Sequence, residues 1–171
     1  MGHVTILEGK IMKRYCYSLC IISAVAFAAL MLCSSPAFAQ TKVHVVPASE
    51  FVPTSHTFDY VRGNAFLYST DTSLGITFIA PIDLPAGSQV KKVVLACIDH
   101  GSNDIAISVL HSNITSWKIL KLWSSSGSGA GVRFFGRKIS FTIKTGMTYE
   151  LFVLMPKTDA YQLHHVRVIY E

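Results

Sequence analysis

At 171 residues, half of them apolar, the chain has room for one domain with a substantial core, so neither disulfides nor a structural metal is required to hold it together. The formal charge is +5, but Lys10, Lys13, Arg14 and Glu8 precede residue 40, which leaves 12 basic and 9 acidic residues beyond it, a net +3 spread along the chain. A nucleic-acid binder shows a denser basic stripe, so no nucleic-acid partner is expected.

The first segment reads as an export signal. Lys13-Arg14 is followed by an apolar run over 19–33, broken only by Ser23, and then by Ser34-Ser35-Pro36-Ala37-Phe38-Ala39. A positive start, a short apolar stretch and small residues at Ala37 and Ala39 are the marks of a cleavable signal peptide. The run is about 15 residues, against about 20 needed to span a bilayer. Residues 1–39 are therefore expected to leave after Ala39, with Met12 a more natural start than Met1. The mature domain, 40–171, is expected to be secreted or periplasmic, with no membrane span once the signal is gone. Leu32 stands where a lipobox before Cys33 wants a small residue, which argues against a lipid anchor. Cys16, Cys20 and Cys33 depart with the signal. Cys97 is then alone, cannot form an intramolecular disulfide, and reads as a small hydrophobe inside the apolar run 93–98.

Beyond residue 40, apolar runs alternate with turn residues and no helical period is sustained. Strands are expected over 43–46, 65–69, 76–80, 90–98, 105–111, 116–123, 132–135, 138–144, 148–155 and 163–170. Ile139, Phe141 and Ile143 share one face against Lys138, Ser140, Thr142 and Lys144. Leu151 to Met155 are apolar on both faces, as for a central strand or one whose outer face is covered. Turn signals separate the runs: Pro85-Ala86-Gly87, Gly101-Ser102-Asn103-Asp104, the Ser/Gly segment 124–131, Gly136, Thr145-Gly146 and Pro156 to Asp159. About ten short strands at this spacing predict an all-β, two-sheet antiparallel β-sandwich, either jelly-roll or immunoglobulin-like, with an open barrel as the alternative.

Pro81 and Pro85 each remove a backbone donor and hold φ near −65°, so 80–90 is expected to be an extended connection crossing between sheets, with Leu84 packed inward as a plug. This segment, Ala80-Pro81-Ile82-Asp83-Leu84-Pro85-Ala86-Gly87, together with Ala96 to Asp99 before Asn103-Asp104-Ile105, Tyr149 to Val153, and the closing Val166-Arg167-Val168-Ile169-Tyr170, resembles an uncharacterised family of secreted bacterial β-sandwich domains. The resemblance implies a fold and carries no catalytic residues; His164-His165 depart from its pattern.

Three groups of residues are candidates for chemistry. Asp99, His100 and His111 form a weak metal set: the first two are adjacent and His111 is one strand later, but zinc needs several ligands converging at about 2 Å. His44, His56, His164 and His165 are the remaining histidines of the mature part, and adjacent strand residues such as His164 and His165 point to opposite faces. The turn 99–104 offers three side-chain oxygens beside a glycine, yet Asp and Asn are also ordinary turn residues and calcium wants six to eight oxygens. Trp117, Lys121 and Trp123, with Ile119, share one face of a regular strand; exposed, they would form a platform for stacking sugar rings, and buried they would be core.

Other signals lead nowhere. The Ser/Gly segment 124–131 lacks a phosphate loop's Gly-Lys-Ser/Thr ending and reads as a flexible hairpin tip. No G-x-S-x-G elbow is present, and the scattered carboxylates define no glycosidase pair. Asn113-Ile114-Thr115 is a sequon made incidental by the bacterial-looking signal. No cofactor is expected. These readings favour an exported, non-enzymatic sandwich with a binding or assembly role, partnered by an unknown ligand or protein. A carbohydrate-binding module using Trp117 and Trp123 and a metal-dependent hydrolase using His100, His111 and Asp99 are the alternatives, and self-association through Phe152 and Leu154 is a further possibility.

Overall fold

The computed structural model describes residues 40–71 and 75–171; the expected signal segment, with Met12, the Ala37/Ala39 cleavage signal and three of the cysteines, lies outside the described residues. Gln40–Glu171 form one compact unit. Its strands are β1 (Lys42–Pro47), β2 (Val52–Pro53), β3 (Tyr60–Arg62), β4 (Leu67–Ser69), β5 (Ile76–Pro81), β6 (Gln89–Asp99), β7 (Ala106–Ser112), β8 (Trp117–Ser124), β9 (Gly129–Thr142), β10 (Thr148–Met155) and β11 (Tyr161–Tyr170). No helix among the described residues is long and apolar enough to cross a membrane.

The strands form two antiparallel sheets. One has the order β3-β4-β11-β6-β9, with β1 also pairing on β11; the other has the order β2-β5-β10-β7-β8. The pairs nest: β7 with β8, β6 with β9, β5 with β10 and β4 with β11. A long hairpin rolled up on itself gives this nesting, which is the jelly-roll arrangement and excludes the immunoglobulin-like one.

Period-two alternation supplies the core. Ile76, Phe78 and Ala80 of β5, Ile107 and Val109 of β7, and Leu151, Val153 and Met155 of β10 are all fully buried. They face Leu67, Val93, Leu95, Cys97, Leu163, Val166 and Val168 of the opposite sheet across a single hydrophobic interior. The crossing connection after β5 behaves as expected. Ile82 and Leu84 pack into the core, Ile82 N donates to Tyr149 O (2.8 Å), and Gly87 turns the chain at φ +92° into β6.

Two local expectations need correction. The runs 132–135 and 138–144 are parts of one long strand, β9, that passes straight through Gly136. Gly136 makes no turn; it lies inside the strand under the exposed end of the Lys92 side chain, whose Cε is 2.6 Å from where a Cβ would stand. The Ser/Gly segment is also pinned where a free tip was expected. Ser125 is fully buried, and the Arg133 guanidinium donates to the carbonyls of Ser126 (3.0 Å) and Gly127.

Candidate ligand-binding site

The outer face of the five-stranded sheet is built in rows that the strand register defines. Ser112 lies between Trp117 and Thr148; Leu110 lies between Ile119 and Glu150, with Pro81 beyond; Ser108 lies between Leu122 and Phe152, with Ile79 and Val52 beyond. At about 4.8 Å per strand, the span from β8 to β5 is about 14 Å. Ser108, Leu110, Ser112, Trp117, Ile119, Glu150 and Phe152 line a groove of about 470 Å³ on this face. Trp117 is 69% exposed at its edge. The groove therefore offers an aromatic face, an aliphatic and aromatic floor, two hydroxyls and one carboxylate. That combination suits a ligand with alternating apolar and hydroxylated surfaces.

The expected platform of Trp117, Ile119, Lys121 and Trp123 does not form. The register shifts between Val109–Lys121 and Leu110–Ile119, leaving Leu120 as the extra residue of a β-bulge. A bulge reverses which face the following residues present. Trp117 and Ile119 thus stay on the outer face, while Trp123 pairs with core-facing Ile107, is only 7% exposed, and donates from Nε1 to Phe135 O (3.3 Å). Lys121 follows Trp123 to the inner side, emerging to solvent because β8 is an edge strand. Leu110, Glu150 and Phe152, in place of Lys121 and Trp123, line the groove with Trp117. The sequence signal for Phe152 was the doubly apolar run of β10, part of whose outer face lines this groove.

The expected metal set is not assembled either. Asp99 ends β6 fully buried, where Ser125 Oγ donates to its Oδ2 and in turn accepts from Ile105 N (2.8 Å). His100 is exposed beyond it. His111 lies at the far end of β7 with its ring 6.0 Å from the Tyr149 ring, about 20 Å along the strand from Ile105. Among the described residues no three His, Cys, Asp or Glu side chains gather as a metal site. Cys97, fully buried, has its thiol pushed up to about 12, chiefly by burial and secondarily by Asp99, against a smaller opposing pull from Arg133. It stays protonated and inert. A second hollow, about 480 Å³, lies on a different surface, where Tyr68 to Asp71 meet Lys157 to Asp159.

His164 and His165 also depart from simple alternation. The register of β11 on β6 shifts between Leu163 and His165, so His164 is a bulge residue and the core-facing positions change from 161 and 163 to 166 and 168. The imidazoles part sideways, His164 toward Phe66 (6.3 Å between centroids) and His165 toward Phe134 (6.1 Å). Burial holds His164 below its usual pKa; burial, then the charges of Arg167 and His164, do the same for His165. Both are neutral near pH 7. As pH falls below the ordinary histidine value the unfolded chain takes up protons first, so stability present at neutral pH is lost on acidification. Thermal melts should therefore show a lower midpoint at about pH 5 than near pH 7, and His164→Gln should narrow that gap relative to the parent.

No protein-family model matches the sequence, and neither does any curated protein. Solved structures do match the fold. A family 6 carbohydrate-binding module superposes with a TM-score of 0.50 at 15% identity, over 72% of this chain and 90% of the module. A low-affinity xylan-binding module from Roseburia intestinalis superposes with a TM-score of 0.50 at 13% identity, over 78% of this chain and 97% of that one. At these identities the likeness is one of fold: this chain folds as those modules do.

Proposed function

We propose that the mature domain binds a glycan chain, without cleaving it, in the groove beside Trp117. The observation that carries this reading is a tryptophan left largely in water at the edge of an apolar groove that also holds hydroxyls and a carboxylate. An indole buries 150–250 Å² when covered, so leaving one exposed forgoes a large hydrophobic gain unless a ligand collects it. A pyranose ring presents a flat C–H face to such an indole and hydroxyls to groups like Ser108, Ser112 and Glu150. Non-catalytic binding fits the lining as well, because Glu150 is the single carboxylate lining the groove and glycoside cleavage ordinarily uses two. The shared fold of two carbohydrate-binding modules points the same way, and the export signal would place the domain where polysaccharides are met.

Affinity electrophoresis through gels containing neutral polysaccharides (xylan, mixed-linkage β-glucan, galactomannan) tests the proposal. At least one should retard the domain. Covering roughly half of the indole is worth about 2 kcal/mol, so Trp117→Ala should weaken binding at least about tenfold with no change in the melting midpoint. Migration unchanged in every gel, or retardation that survives Trp117→Ala, would overturn it. A second reading, self-association, is favoured by Leu122 (62% exposed) and Leu154 (46%), which extend the apolar surface beyond the groove. Light scattering that reports a dimer would support it.

A further inference from the structure

The opposite surface, the outer face of the six-stranded sheet, has a different chemistry. Its rows are Val43–Ile169–Lys92–Lys138, Val45–Arg167–Val94–Gly136 and Pro47–His165–Ala96–Phe134, running across β1, β11, β6 and β9. No acidic residue occurs in these rows. Among the described residues no carboxylate pairs with Arg167, Lys92 or Lys138; the ion pair found there joins Lys91 to Glu171.

Of these cations, Arg167 is held in place by its contacts and Lys92 leans toward β9. Arg167 reaches across β6, its Cζ 4.9 Å from the centroid of the Phe134 ring, and its Nε donates to His165 Nε2 (3.0 Å). The neutral imidazole that accepts this bond also comes from β11 and lies 6.1 Å from Phe134, and Ala96, between the two, is fully buried although it belongs to an outer row. Lys92 lies flat over Gly136: a Cβ there would meet Lys92 Cε at 2.6 Å and Nζ at 3.2 Å. With no side chain at 136, the end of Lys92 extends over β9 there. A guanidinium beside the ring of residue 134 and an ammonium over residue 136, two residues on, thus set two cations along one stretch of β9, where a carboxylate or sulfate can pair with both. Phe134, 54% exposed, supplies the ring beside them, and Lys138 continues the positive line.

From this we infer that the outer face of the six-stranded sheet is a second binding surface, for an acidic polysaccharide whose carboxylate or sulfate sits between Arg167 and Lys92 while a sugar ring packs on Phe134. A polymer with regularly repeated charge and flat sugar faces matches both the basic line and the aromatic ring. A free inorganic anion uses only the first. This surface does not depend on the Trp117 groove, and a domain holding both presents two faces to two glycans.

The test is affinity electrophoresis or calorimetry of the full domain with polygalacturonate (carboxylate), dextran sulfate (sulfate) and neutral xylan, with single-stranded DNA and anionic lipid vesicles as competing polyanions. Polygalacturonate or dextran sulfate should bind, the stronger of the two naming the anion, and added salt should weaken the binding. The double variant Arg167→Gln, Lys92→Gln should reduce it at least about tenfold without lowering the melting midpoint. Trp117→Ala should leave this binding unchanged, so the failure of either surface is told apart from failure of the other. No binding to either acidic polysaccharide at low salt, binding that survives the double variant, or tighter binding to DNA or vesicles would each overturn the inference.

Discussion

Replacing Gly101 with alanine is expected to destabilise the domain by about 2–4 kcal/mol, read as a lower denaturant midpoint. Gly101 sits in the turn after β6, where a Cβ would fall inside the phenol of Tyr161. That ring is 4% exposed and its Oη accepts from Asn103 N (2.9 Å), so it cannot swing aside without exposing apolar surface and orphaning a backbone donor. Close approach, and not a left-handed φ, is the reason for glycine at this position. Gly131 offers the control. Nothing lies within 4 Å of a Cβ there, and Gly131→Ala is expected to stay within about 0.5 kcal/mol of the parent. If both variants unfold at the same denaturant concentration, the packing of Tyr161 over the turn is not what fixes this end of the sandwich.

The same turn shows how a ligand-like cluster can be structural. Asp99, Asn103 and Asp104 are the oxygens that suggested a cation loop. Asp99 instead accepts from Ser125, Asp104 accepts from Ser124 Oγ (3.0 Å), and the Asn103 backbone is held by Tyr161. All three tie the turn to the Ser/Gly segment or to β11. The cluster is a clasp at one end of the roll.

Truncating Phe78 to alanine should have the largest effect in the domain, about 3–5 kcal/mol, because it removes a fully buried ring from the middle of β5. The ring meets Tyr60 edge-on at 5.6 Å and 75°, so an aromatic contact is lost together with buried area. Flanking strands pair with β5 on both sides and limit how far the cavity can collapse. Guanidinium titration should show the drop in midpoint with an unchanged slope. A cost below about 1 kcal/mol would mean that β5 is not packed between the sheets as described.

Most of the architecture could be read from the chain. Apolar runs bounded by turn residues identified the strands over 76–80, 105–111 and 163–170, and the prolines around Leu84 marked a crossing between sheets. The candidate site was legible only in part. Trp117 was named with both outcomes open, platform if exposed and core if buried; the structure leaves it exposed, and its companions on that face were misassigned because a perfectly regular strand was assumed through Leu120. A trace of the second irregularity is visible in Leu163-His164-His165-Val166-Arg167-Val168, where two polar residues in succession interrupt strict alternation, as a bulge would. No such trace exists in Trp117 to Trp123, where nearly every residue is apolar or long enough to suit either face.

Residue type and spacing were enough to determine that this polypeptide makes pleated layers with an apolar interior, because which side of a strand meets water depends only on alternation along the chain. Tertiary structure alone decided the rolled strand order, the burial of Asp99 and Trp123, the gathering of Trp117 and Phe152 along one groove, and the meeting of Arg167 with Phe134. These outcomes, the shared groove included, depend on which strands become neighbours and where one slips by a residue against the next. Cross-strand pairing sets both, and side chains far apart in sequence acquire a common surface only once that pairing exists.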